Sequence, residues 1–111
     1  MIIPDTYPLT ILRGRDFDVE FEFADLNLTG YTARSQIRAS ESQDATLIEE
    51  FTIIVTPGTD STVELDLSET ETGAITQETG FYDLLLTSPS GVDYTYIRGP
   101  VTFIGSVTEK A

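Results

Sequence analysis

Cysteine, histidine and tryptophan are all missing from this 111-residue chain. Without Cys there is no disulfide framework and no thiolate zinc site. Without His as well, Ser-His-Asp and Cys-His nucleophiles are excluded. The lack of Cys fits folding in a reducing cytoplasm. The lack of Trp removes the best stacking platform for a sugar ring. Basic residues are scarce: 6 Lys and Arg stand against 19 Asp and Glu, a formal net charge of −13. Such a chain repels phosphate backbones and anionic lipids, so neither nucleic acid nor a membrane is expected as a partner. No apolar run approaches the roughly 20 residues of a spanning helix. The opening MIIPDTYPLT has neither the basic flank nor the apolar stretch of a secretion signal. Gly-rich phosphate loops and nucleophile elbows are also lacking, and Gly14, Gly30 and Gly99 read as isolated turn residues. No cofactor or metal is expected, and Asp/Glu chemistry is the one catalytic route left open.

What is present is a core. Hydrophobic residues make up 40% of the chain, with 6 Phe and 5 Tyr, which sets it apart from disordered acidic chains. Its length suits one domain. Short β-rich runs alternate with turn residues, the pattern of a sandwich or barrel. The runs are 9–12, 16–24, 31–40, 47–56, 61–67, 81–88, 92–99 and 100–108. Pro57-Gly58 and Pro89-Ser90-Gly91 punctuate them as turns. Ser68 and Glu71 have the spacing of a capping box, and Gly73 limits the helix that follows. The expectation is an all-β fold: a single, mostly antiparallel β-sandwich of seven to eight strands with one short helical turn near residues 68–75. Pro4 and Pro8 make residues 1–8 an extended N-terminal arm, with the sandwich domain at 9–111. Pro100 is expected at a strand start or on an edge.

The stretch DFDVEFEFAD (16–25) holds the densest charge. Asp16, Asp18, Glu20 and Glu22 alternate with Phe17, Val19, Phe21 and Phe23, so in a strand the acids share one face, about 7 Å apart. That spacing would also serve a glycosidase carboxylate pair. Catalysis needs one partner in a desolvated pocket, however, and strict alternation solvates all four alike. The reading adopted is a wet strand face. If the strand at 31–40 lies beside it, Arg34 and Arg38 would oppose the acids, and the surplus charge, chiefly Glu20 and Glu22, would meet a basic partner. DLNLTG (25–30) matches the first half of a calcium loop, but Gln36 stands where the closing Glu belongs, so a turn capped by its own side chains is preferred. Tyr94 and Tyr96 share a strand face continued by Arg98, which keeps a carbohydrate-binding module as an alternative. Ile2, Ile3 and Tyr7 need burial, either on this chain's own sheet as an edge strand or against a neighbouring subunit.

Three stretches together resemble small β-sandwich virion proteins of tailed bacteriophages: LNLTGYTARSQIR (26–38), LDLSETETGAI (65–75) and YDLLLTSPSGVDYTYIRGPVTFIGSVT (82–108). A Leu-Thr-Gly turn opens a strand ending in Ile-Arg. A Leu-x-Leu-Ser strand enters a Thr-rich helical turn. A Tyr-Asp-Leu strand leads through a Gly turn to a closing Val-Thr. The resemblance implies a non-enzymatic structural component. One form is a capsid cement or decoration protein that bridges major capsid protein subunits and self-associates, often as a trimer. The other is a tail or baseplate accessory protein related to tail-fibre N-terminal domains. It implies synthesis in the host cytoplasm and residence on the virion. With no shaft after Ala111, the capsid surface is the favoured location. The expected partner-contact residues are Ile2, Ile3, Tyr7, Glu20, Glu22, Tyr94 and Tyr96.

Overall fold

The computed structural model describes residues 5–42 and 44–105. In chain order these form β1 (Asp5–Thr6), β2 (Leu9–Leu12), β3 (Phe17–Phe23), β4 (Thr32–Arg38), β5 (Leu47–Glu50), β6 (Thr52–Thr56), β7 (Ser61–Leu67), α1 (Glu69–Gly73), β8 (Thr79–Thr87) and β9 (Asp93–Ile104). The large sheet runs β1-β9-β8-β4-β5, with β2 following β1 along the same side of β9, and the small sheet runs β3-β7-β6. Pairing is antiparallel except where β1 and β2 lie parallel to β9. The expected β-sandwich is what forms.

The alternation seen in the sequence is the alternation of burial. Val63, Leu65 and Leu67 of β7 point inward, as do Leu84 and Leu86 of β8 and Ile37 of β4. Their removal from water stabilises the fold by about 1.5–3 kcal/mol per large aliphatic side chain. Phe17, Val19 and Phe23 face the same core but stay partly open, because β3 is the end strand of its sheet. The capping box forms in full: the Ser68 Oγ accepts the Glu71 N–H (3.2 Å) and the Glu71 carboxylate accepts the Ser68 N–H (2.9 Å). Buried Thr72 ties α1 to the β2–β3 turn, its hydroxyl donating to the Arg15 carbonyl at 2.7 Å.

Three local expectations are corrected. The run 47–56 is two strands: β5 ends the large sheet, the chain crosses at buried Phe51, and β6 ends the small one. The runs 92–99 and 100–108 merge instead, as far as Ile104, into one strand through Gly99-Pro100, so Gly99 is not a turn residue; residues 106–108 lie outside the described residues. Pro100 therefore sits inside an interior strand. It is accommodated because the parallel neighbour is interrupted there: Thr6 pairs with Arg98 and Leu9 with Val101, leaving Tyr7-Pro8 opposite Gly99-Pro100. Of the arm, residues 5–8 lie along this chain's own β9, the Tyr7 N–H donating to the Arg98 carbonyl at 2.9 Å. Residues 1–4 lie outside the described residues, and with them Ile2 and Ile3. Among the described residues no helix is long and apolar enough to cross a membrane.

Candidate functional site

The outer face of the small sheet is an acid field. β3 pairs with β7, not β4, in a register that sets Asp18 opposite Asp66, Glu20 opposite Glu64 and Glu22 opposite Thr62. Arg34 and Arg38 lie in the other sheet, so the expected cross-strand neutralisation of the acids is corrected: acids face acids. Like charges directly opposite destabilise a sheet. Carboxylate oxygens of Asp18, Glu64 and Asp66 come within 4.8 Å of one another. The Glu64 carboxyl is raised above the usual range, first by a hydrogen bond with Asp66, then by that neighbour's charge, with slight desolvation and the charges of Asp18 and Glu20 adding to it. A carboxyl raised in the folded state binds more protons there than in the unfolded chain. Its contribution to stability therefore falls as pH rises through the shifted value and recovers below the ordinary carboxylate range. Glu64→Gln is expected to remove this component. Urea midpoints of Glu64→Gln and the unaltered chain should lie further apart at pH 7 than at pH 4, with the variant higher at pH 7.

The outer face of the large sheet mixes both signs of charge, and sequence reasoning did not assemble it. Across β5, β4, β8 and β9 the row reads Glu50, Gln36, Asp83, Arg98, ending at Thr6 of β1. Arg34 grips Glu50 with two bonds, Nε to Oε2 at 2.7 Å and Nη2 to Oε1 at 3.3 Å. That contact lowers Glu50 and raises Arg34. Arg38 donates to the Ala45 carbonyl (2.8 Å) and to Gln36 Oε1 (2.8 Å), pinning the β4–β5 loop. Arg98 reaches Glu41 of the same loop at 2.6 Å. The loop thus arches over a cleft of about 760 Å³ floored by Asp83 and Leu85. Desolvation there raises the Asp83 carboxyl, against the pull of Arg98 and Arg38. Both ion pairs are solvent-facing, and exposed pairs of this kind contribute about 0–1 kcal/mol. The available signal was the face of alternating Arg34, Gln36 and Arg38. Nothing local joined it to Arg98, some sixty positions on by chain distance.

The tyrosines are placed differently from the expectation. β9 carries one extra residue against β8, with Leu84 opposite Ile97 but Leu85 opposite Thr95. This bulge turns Tyr96 inward. Its ring meets Phe23 edge-on at 5.6 Å, and Tyr94 leans against it at 5.9 Å. Both rings are half-buried, while Arg98 points out from the opposite face. The face shared by Tyr94, Tyr96 and Arg98 is therefore corrected: a bulge shifts the phase by one residue. Tyr7 keeps 49% of its surface exposed, yet its ring packs edge-on against Phe21 at 5.3 Å. Glu20 and Glu22 are exposed, as expected. In the 25–30 loop Asn27 Oδ1 accepts both the backbone N–H (3.0 Å) and the hydroxyl (2.6 Å) of Thr29, and Asp25 takes a φ of 59° while its N–H donates to Asp60. Those residues serve the turn.

A small sheet β3-β7-β6 facing a large one in which the first strands lie parallel to the last defines an immunoglobulin-like β-sandwich. The family model of the LtfC-like β-sandwich domain matches residues 4–103, and the chain belongs to that family. This is a bacteriophage, tail-fibre-related kind of β-sandwich domain. No curated protein sequence matches the chain. Among solved structures it is similar to one from a study of multimeric cell-adhesive interactions of VGSC β subunits, with TM-score 0.56 and 10% identity, over 89% of this chain and 92% of that one. At that identity the likeness is one of fold.

Proposed function

We propose that this protein is a non-enzymatic structural module of a bacteriophage virion, seated in the tail or baseplate. The observation that carries this reading is the family match over residues 4–103. The geometry agrees with it. The acids cluster on an open sheet face, whereas carboxylate catalysis calls for one acid enclosed in a pocket. The half-buried Tyr94 and Tyr96 brace the end of the sandwich more than they offer a sugar a flat platform. A rigid sandwich transmits load between neighbours, and a coat of net charge −13 keeps assembled particles apart.

The second reading, favoured by the sequence resemblance, is a capsid cement protein that bridges major capsid protein subunits, with self-association as a trimer. Copy number separates the two. Quantitative mass spectrometry of purified virions is expected to find a handful of copies, co-fractionating with tails after the heads are dissociated. Hundreds of copies on the heads would replace the tail reading with the cement reading. Absence from purified virions would overturn both.

A further inference from the structure

An unpaired sheet edge is a template for another strand, and proteins guard such edges with charge, proline, bulges or shortness. Among the described residues this sandwich has four edges, and three are guarded. β3 displays Asp18, Glu20 and Glu22 on its outer face. The edge formed by β1 and β2 is broken at Tyr7-Pro8, and proline has no N–H to offer. β5 has four residues, carries Glu49 and Glu50, and slips register against β4. β6 (Thr52–Thr56, TIIVT) has none of these devices. It pairs regularly with β7 over all five residues, bears no charge and no proline, and leaves Ile54 51% exposed. A bare aliphatic edge on a chain of net charge −13 is out of keeping with the rest of the surface.

We infer that β6 pairs antiparallel with β6 of a second copy, about a two-fold axis through Ile54. The two small sheets then become one six-stranded sheet, β3-β7-β6-β6-β7-β3. In this register Ile54 meets the partner's Ile54 on the outer face, and Thr52 meets the partner's Thr56. Ile53 meets the partner's Val55 on the core side. Aliphatic and Thr–Thr pairs are favourable across strands. Electrostatics selects this edge over the other. The nearest acid beside Ile54 is Glu64 on β7. The two copies of Glu64 would stand three strand spacings apart, about 14 Å, beyond the roughly 8 Å screening length at physiological salt. The same operation on β3 would press Glu20 against the partner's Glu20, and Asp18 against the partner's Glu22, at about 5 Å.

The absence of cysteine makes the test clean. Directly opposed residues of an antiparallel pair have Cα atoms about 4.5–5.5 Å apart, within the roughly 4.4–6.8 Å span a disulfide accepts. Ile54→Cys in a glutathione redox buffer is expected to form a covalent dimer at least about tenfold faster than Glu20→Cys, a margin equal to one decade of effective association. The unaltered chain is expected to show a concentration-dependent monomer–dimer equilibrium in analytical ultracentrifugation. Ile54→Lys, at an exposed site that leaves the fold intact by circular dichroism, should weaken that equilibrium by about tenfold or more. Ile54→Cys cross-linking no faster than Glu20→Cys would overturn the inference. So would a chain that stays monomeric at all concentrations, the result expected if β6 instead receives a strand from a different protein.

Discussion

Ser61→Ala is expected to cost the domain about 2–4 kcal/mol, because it strands two backbone amides at once. Ser61 is wholly buried at the start of β7. Its hydroxyl oxygen accepts the Leu28 N–H at 2.9 Å and the Gly58 N–H at 3.2 Å, and donates to the Gly58 carbonyl at 3.2 Å. One side chain therefore holds together the 25–30 loop, the β6–β7 turn and the first residue of β7. An alanine fits the space, but the abandoned Leu28 amide, which is buried, loses about 1–3 kcal/mol, and the half-buried Gly58 amide loses less. Leu28, itself fully buried, cannot turn its amide to water without leaving the core. The measurement is a urea midpoint: at a slope of about 2 kcal/mol per molar, the middle of the usual range, the transition should fall by roughly 1–2 M. Ser90→Ala, at the exposed tip of the β8–β9 turn, should stay within about 0.5 kcal/mol of the parent.

Ser61 also shows where sequence reading stops. The alternation in STVELDL is enough by itself to mark a strand and to turn Val63, Leu65 and Leu67 to one side, since period two is a local property of a strand. Nothing local said that Ser61 would receive an amide from position 28. The acids at 16–22 repeat the lesson. Their rhythm told which face is wet. It could not tell which strand lies alongside: Arg34 and Arg38 would oppose the acids only if 31–40 were the neighbour, and the neighbour is β7 with Glu64 and Asp66. Strand neighbours are chosen by long-range packing. The break of 47–56 at Phe51 and the passage of β9 through Pro100 depend on neighbours in the same way. The bulge at Tyr96 misled by a single residue, enough to move an aromatic from one face to the other. Ser68 and Glu71 lay within reach because a capping box closes over four consecutive residues.

Gly99→Ala is the second large effect, and it isolates the N-terminal edge. Gly99 is buried in the middle of β9, and its backbone is not in the left-handed region, so conformational freedom is not what it supplies. What it supplies is room. A Cβ built there collides with the Tyr7 carbonyl oxygen and lies 2.8 Å from the carbonyl carbon. That same oxygen accepts the Tyr82 hydroxyl at 2.7 Å, on a phenol whose pKa burial has already raised. Alanine must push Tyr7-Pro8 away from β9. The move costs about 1–3 kcal/mol in overpacking, and the Tyr82 hydroxyl exchanges its protein partner for water, a net loss of about 0.5–1.5 kcal/mol. The loss should be local first. Hydrogen exchange should show the Tyr7 amide, bonded to the Arg98 carbonyl, unprotected, while β2 at Leu9–Leu12 keeps its ladder with Val101–Ile104. Opening of the arm wets Tyr82. Its phenol should then ionise at lower pH than in the parent, read as earlier tyrosinate absorbance in an alkaline titration below the unfolding range. A variant that loses stability while the Tyr7 amide stays protected would place the strain elsewhere, and the tight seat of the first strand on Gly99 would not be what fixes the arm to its own sheet.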